Sequence, residues 1–584
     1  MQNGSSHAKK RDILFHLALI FIVSLCADLF YVGSYGLYSD DWHDSIEHLL
    51  ADDETFVKNM NDMLIHQWEM RPLRTVEYAL QRVVFSMAGL SGVYVLQALI
   101  IAFSMLVLYL ILIERLHKNH ALLITLIFSL SPLDTTTLWL ATMHHRFCLL
   151  FCFLAMYSLL RGRHVIFSAL CLMISLLFSE LAFGIFLLTP LLMIEFSENR
   201  HINKKIFYPI LKKTLLLFIS VFVIYMIWRI IIAPLYMKDM RVEEFLAGGL
   251  LGYIKRYADC FKYGYQILFI SGLKFLAFSM RSDIFIFVGT IVVFSIISLI
   301  YFKYKKNNPP VKTKPHEDLP NSWFHILYYI GLGLITVPLS YWYGICYKSC
   351  LYMGGLTRFN FPNGIAYAFF LFGIILLLFK AIEHFFKSSK LIFFSKTFIL
   401  IIAFSLLMTH RIHIQKDYAE NWQIQKNVIT DMFTLFPALP ENTLIILNYR
   451  DASYRPMFTF KKDKFWQTDA IAELLYGPKR GLILMDDINQ IDVTGDTIKI
   501  KAWDEMGWWV KEFSLSTDEI IFLNSSQKGR LSREDTLRFE TESHESISIA
   551  VNNSSFTSNT QFTGDAKFLS FLGIPIERSS VPEN

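Results

Sequence analysis

The sequence predicts a mainly α-helical, polytopic transmembrane bundle followed by a soluble α/β or β-rich domain, and three observations predict it. The first is composition: 54% of the 584 residues are hydrophobic and 15% aromatic, while only 18% are charged. With a mean hydropathy of +0.40, the chain carries more apolar surface than a single soluble core can bury. The second is patterning. Apolar residues gather in runs of about 15–24, the length that crosses ~30 Å of hydrocarbon at ~1.5 Å per residue. The third is charge placement, because Lys and Arg cluster between the runs in a way that orients them.

The spans are expected at residues 12–31, 92–113, 121–134, 141–160, 164–178, 181–195, 212–233, 284–304, 323–344, 364–380 and 391–409. The basic clusters are Lys9 to Arg11, Arg115 with Lys118, Arg161 with Arg163, Arg200 to Lys213, Lys303 to Lys314 and Lys380 to Lys390. About eleven spans put all of them on one side, the cytoplasmic side, because short basic loops stay there. The same rule makes 121–160 an entering and returning pair that turns near Asp134 to Arg146. It splits 164–195 into two short spans meeting at Ser179-Glu180. Residues 263–280 are apolar, but a further span there would reverse the Lys303 to Lys314 cluster. An interfacial helix with Lys274 snorkelling is therefore expected.

The first run follows Lys9, Lys10 and Arg11 and shows no small-residue cleavage site, so it reads as a retained anchor. Residues 1–410 form the membrane module, with a long first outer loop over 32–91. From 411 to 584 apolar runs shorten and strand-like segments appear at Thr443–Tyr449, Gly481–Met485, Thr497–Trp503 and Glu519–Asn524. This is the soluble, extracytoplasmic domain. The seven cysteines are too few and scattered for a disulfide scaffold or zinc site. Cys26, Cys148, Cys152 and Cys171 read as core residues. Cys260, Cys346 and Cys350 fall in loops expected outside, where a disulfide is compatible with the compartment. A net charge of +5 spread in this way gives no reason to expect nucleic acid as a partner.

The polar residues that folding explains least all fall towards the outer side. Asp40 and Asp41 follow the first span, and Arg71 lies later in the same loop. His144, His145 and Arg146 open the fourth span, Glu180 sits at the apex of the second hairpin, and Arg358 precedes the tenth span. Ionisable groups in or beside a span cost several kcal/mol unless paired or hydrated, so they tend to mark sites. Carboxylates facing cations suit transfer from a phosphate leaving group: an acid accepts the acceptor's proton while guanidiniums hold the departing charge. Each residue also has a duller reading. The aspartates can be turn or cap residues, Arg71-Pro72 can start a helix, Arg146 can pair with Asp134, and Glu180 can brace the hairpin turn.

These residues resemble the GT-C superfamily of membrane glycosyltransferases, which includes protein O-mannosyltransferases and aminoarabinose transferases. Asp40-Asp41 matches the acidic pair of the first outer loop, and Arg71-Pro72-Leu73 an Arg-Pro-Leu further along it. Trp139 to Arg146 is similar to a Trp-to-Arg opening of the fourth span, Ser179-Glu180 to a Ser/Lys-Glu between spans, and Arg358-Phe359-x-x-Pro362 to an Arg-aromatic-x-x-Pro element. The paired His144-His145 departs from that pattern. The likeness covers mainly residues 10–200.

The resemblance implies an inverting transfer from a polyprenyl-phosphate-linked sugar to an extracytoplasmic glycan, glycolipid or protein acceptor, in a bacterial plasma membrane. One carboxylate of Asp40/Asp41 would be the general base, and Arg71, Arg146 or Arg358 would hold the lipid phosphate. His144, His145 and Glu180 complete the substrate-binding set. No cofactor is expected, with a divalent cation as the alternative. Two other function classes remain: a transporter or flippase for a lipid-linked saccharide, which predicts inverted repeats and midplane polar residues, and a non-catalytic envelope scaffold.

Overall fold

The computed structural model describes residues 2–38, 40–66, 71–162, 164–194, 204–232, 252, 254, 255, 257–307, 323–341, 360–449, 465–485, 488–494, 497–503, 510–526, 529–533, 536–540, 546–550 and 565–572. The protein is mainly helical. Among the described residues, eight helices are long and apolar enough to cross a membrane, the mark of a multi-pass membrane protein: Arg11–Ser34, Arg74–Leu112, Leu140–Leu160, Phe207–Ile231, Ile284–Lys306, Trp323–Ser340, Asn363–Phe385 and Ser389–Leu435. Each overlaps one of the expected spans. The other three expected spans fall on shorter apolar segments, Lys118–Ser129, Val165–Phe178 and Phe183–Leu192. The 12 residues of Lys118–Ser129 rise only about 18 Å at 1.5 Å each. The chain does break at the expected hairpin apex. The helix ends at Phe178 and Ser179 is extended.

Helix–helix packing follows from small residues where backbones approach. A Cβ on Gly333 would meet Ala366 O at 2.9 Å, and one on Gly373 would meet Ile330 Cγ1 at 2.6 Å. Trp323–Ser340 and Asn363–Phe385 can therefore lie close, the usual route to association where lipid is as apolar as leucine. The helix Arg74–Leu112 is broken at Gly89, whose φ of 63° and ψ of −165° lie outside the helical region. Only its second part answers to the expected span 92–113. Residues 263–280 are helical with a wide turn at Ile267–Ser271. Ile267, Leu268 and Leu276 are buried there, while Leu273 and Lys274 are exposed. Of the span cysteines, Cys148, Cys152 and Cys171 are buried, but Cys26 is exposed on its helix rather than in the core. Cys260 is buried, inside a helix rather than a loop. Cys346 and Cys350 lie outside the described residues.

The chain divides into two compact units. The first comprises Met1–Gly33, Val57–Leu138 and Thr142–Lys416. The second comprises Ser34–Phe56, Trp139–Ala141 and Asp417–Asn584. It therefore takes in two pieces of the N-terminal half.

The four expected strands appear as β1 (Leu444–Tyr449), β2 (Gly481–Leu484), β4 (Thr497–Trp503) and β6 (Ile520–Ser525), joined by β3 (Ile488–Thr494), β5 (Val510–Ser516), β7 (Leu531–Arg533), β8 (Thr536–Glu540) and β9 (Ser546–Ala550). One sheet has the order β2-β1-β6-β7, parallel from β2 through β6 and antiparallel at β7. The unbroken Leu444-Ile445-Ile446-Leu447 run fits a parallel strand covered on both faces. The helix Phe465–Tyr476 lies between β1 and β2 in sequence, as a parallel crossover requires. β3, β4 and β5 form an antiparallel meander, and β8 pairs with β9. Ile498 and Ile500 of the meander join Leu444, Ile446 and Phe522 in one core.

In the second unit, the segment from Gly36 to Trp42 lies along the helix that continues to Leu435. Tyr38 OH donates to Tyr418 O at 2.9 Å, and Trp42 Nε1 donates to Gln425 Oε1 at 3.0 Å. A Cβ on Gly36 would stand 1.7 Å from the Trp422 ring. Gly36→Ala is therefore expected to lower stability by about 1–3 kcal/mol through overpacking, measurable as a lower melting temperature in detergent.

Candidate active site

The helix beginning at Arg74 presents a polar stripe in its first turns. Arg74, Glu77, Tyr78 and Gln81 recur at helical spacing and are all buried. Arg71 precedes them, with its carbonyl accepting the Arg74 N–H at 3.0 Å, and Pro72 O accepts Thr75 Oγ1 at 2.7 Å. The Arg-Pro-Leu element does start a helix, as the simpler reading had it. It also aims a guanidinium inward.

Arg71 Nε and Nη2 donate to Glu180 Oε2 at 3.3 and 3.2 Å, and its Nη1 lies 3.2 Å from His144 Nε2. The other imidazole nitrogen of His144 is 3.7 Å from Glu77 Oε2, while Glu77 Oε1 accepts Gln81 Nε2 at 3.0 Å. Beyond Glu180, Oε1 accepts Tyr225 OH at 2.6 Å and also bonds Arg229. Arg229 sits in the wide helical turn Trp228–Ile232, four residues after Tyr225, whose hydroxyl it also contacts at 2.9 Å. Arg74 bonds Tyr78 OH. His145 Nδ1 is 3.0 Å from Ser179 Oγ.

Arg71, His144, His145 and Glu180, remote in sequence, thus gather in one buried cluster within the first unit. Two guanidiniums, Arg71 and Arg229, meet on the one carboxylate of Glu180, with His144 and Glu77 next along the network. Guanidiniums held in this way are the groups that recognise carboxylate and phosphate oxygens.

Comparison with protein-family models and with curated proteins gave no match. The site therefore rests on its own chemistry.

Arg146 does not join that cluster. Its Nη2 donates to Asp134 Oδ2 at 2.7 Å, the pairing the sequence suggested, and its guanidinium lies 3.9 Å over the Phe361 ring. Arg358 lies outside the described residues. Asp40 and Asp41 belong to the second unit. Asp41 is 0% exposed; its Oδ1 accepts Ala141 N at 2.8 Å and its Oδ2 accepts Tyr38 N at 3.1 Å. It ties a turn, as the bland reading allowed. Asp40 is only partly buried. Among the described residues, no group of three or more His, Cys, Asp or Glu could hold a metal ion.

Burial pushes the Asp41 carboxyl well above the usual carboxylate range, against the N–H groups of Ala141, Tyr38 and Leu140, which favour its ionised form; the neighbouring Asp40 charge adds to the rise. A folded-state value above the unfolded one of about 3.9 contributes stability that is complete below the unfolded value. That contribution is lost as pH rises through the folded value. Melting temperature in detergent is expected to fall across that window, and Asp41→Asn to flatten the dependence.

The sequence reading missed Glu77, Tyr225 and Arg229. Arg229 carried a signal, a lone charge inside an apolar run. So did the i, i+3, i+4, i+7 polar stripe from Arg74 to Gln81.

Proposed function

We propose that this protein is a membrane glycosyltransferase of GT-C type. It moves a sugar from a polyprenyl-phosphate donor to an extracytoplasmic glycan, glycolipid or protein acceptor in a bacterial plasma membrane. The observation that supports this most directly is the meeting of Arg71 and Arg229 on Glu180, with His144 and Glu77 next along the network. A departing lipid phosphate gains charge as its bond to the sugar breaks, and preformed donors favour that state.

In this reading the acceptor hydroxyl attacks the anomeric carbon, and its proton passes to an aspartate. Asp40 is the better base of the pair, because it is partly exposed where Asp41 is fully buried. The C–O bond to phosphate breaks with inversion, and the guanidiniums hold the leaving oxygen. Eleven crossings, with residues 40–41 and the second unit outside, complete the proposal.

The test is extraction of lipid bound to the purified protein, its identification by mass spectrometry, and a transfer assay with that lipid. The expected products are polyprenyl phosphate and a glycosylated acceptor. Labelling that placed cysteines substituted at 40 or 41 in the cytosol would overturn the reading.

A further inference from the structure

A cavity of about 420 Å³ opens in the second unit, between the helix Phe465–Tyr476 and β5, beside the turns that lead into β1 and β2. That size lies within the ~300–1,000 Å³ of sites that hold small molecules. Its rim is held in place: Asn442 N donates to Lys479 O at 2.9 Å, and Gly481 N donates to Thr443 O at 3.0 Å. Asn442 and Lys479 each have a φ of 65°, and they are the two non-glycine residues with left-handed backbone among those described. Such conformations persist where the surroundings over-determine them, and they gather at binding sites.

The charges around the cavity are mostly spent on one another. Lys511 is bonded to Asp469, Lys479 Nζ meets Glu441 Oε2 at 2.8 Å, and Lys501 Nζ meets Glu512 Oε1 at 2.8 Å. Arg480 gives its N–H groups to the carbonyls of Leu439, Pro440 and Pro478. Burial holds the Asp469 carboxyl above the usual carboxylate range despite Lys511, and Glu473, one turn along the same helix, adds to the rise. A further negative charge is therefore unwelcome there. Among the described residues, the carboxylate of Glu473, the amide of Asn442 and the hydroxyl of Ser514 line the cavity without a hydrogen-bond partner in the protein. Phe513 and Leu515, on one face of β5, supply an apolar wall in which Phe513 is half-buried. Open donors and acceptors beside an aromatic ring suit a molecule whose hydroxyls both give and accept and whose C–H face meets the electron-rich face of the ring.

We propose that this cavity binds an uncharged saccharide, which gives its hydroxyls to Glu473, Asn442 and Ser514 and rests a C–H face against Phe513. The site is separate from the cluster around Glu180, which belongs to the first unit. It does not rest on glycosyl transfer: the second unit holds glycan here without acting on it.

The test is calorimetric titration of the full-length protein, in a detergent without a sugar headgroup, with maltotriose, cellotriose and the trisaccharide of N-acetylglucosamine. Saturable binding of at least one of them is expected. Phe513→Leu, which keeps an apolar side chain but removes the ring, should weaken it about tenfold. Glu473→Gln, at an exposed position, should weaken it about fivefold. Unchanged melting temperatures show that both variants are folded, and binding is read without turnover, so the result stands apart from any transfer assay. No binding of any of the three sugars overturns the proposal, as does binding that either variant leaves unchanged. Tighter binding of the deacetylated, cationic trisaccharide than of its acetylated form assigns the cavity to amines and overturns it too.

Discussion

Asp40→Asn is expected to leave the protein folded and inserted while lowering sugar transfer by about two to four orders of magnitude, the usual contribution of a positioned general base. The substitution keeps size and polarity at a partly buried position, so little packing is disturbed. Asp41→Asn should behave differently. Both Asp41 oxygens accept backbone N–H groups, from Ala141 and Tyr38. An amide there sets N–H against N–H at one of them and is expected to cost about 1–3 kcal/mol. Measuring transfer and melting temperature on both variants separates the two roles. A double Asp40→Asn, Asp41→Asn protein with full transfer activity would remove the base assignment altogether.

Glu180→Ala is expected to be the most damaging single change to the fold. Glu180 is the shared acceptor of Arg71, Tyr225 and Arg229, joining three separate stretches of chain. Its removal takes one carboxylate away from two buried guanidiniums at once. Breaking a buried pair in this way costs about 3–5 kcal/mol, a large share of the ~5–15 kcal/mol that holds a typical protein folded. Glu180→Gln keeps an oxygen for one partner and should be milder. The measurement is yield and thermal melting in detergent. Wild-type stability for Glu180→Ala would mean that the network is not formed.

Much of this architecture could be read from periodicity and charge. The apolar runs located the eight long helices and the shorter segments between them, because bilayer thickness leaves few ways to write a span. The parallel strands were visible as short Leu/Ile runs such as Leu444 to Leu447 and Leu482 to Leu484. Arg71 and Glu180 were each picked out by the cost of an ionisable group beside a span, though not as partners. Tyr225 reaches Glu180 from a regular helix and Arg229 from the wide turn that follows it, and no local sequence rule states which neighbour either will meet. Nor could spacing show that Trp139–Ala141 would be drawn into the second unit, where the Ala141 amide ties down Asp41.

Gly89 leaves the long helix Arg74–Leu112 without a continuous hydrogen-bonded spine. A rigid rod would force its two ends to share every change of angle. With the break, the half after Gly89, largely buried among its neighbours, can take its own angle to the bilayer while the half bearing Arg74 and Glu77 keeps its polar contacts. A change of angle in the spanning half is therefore not passed rigidly to the turns that carry Arg74 and Glu77.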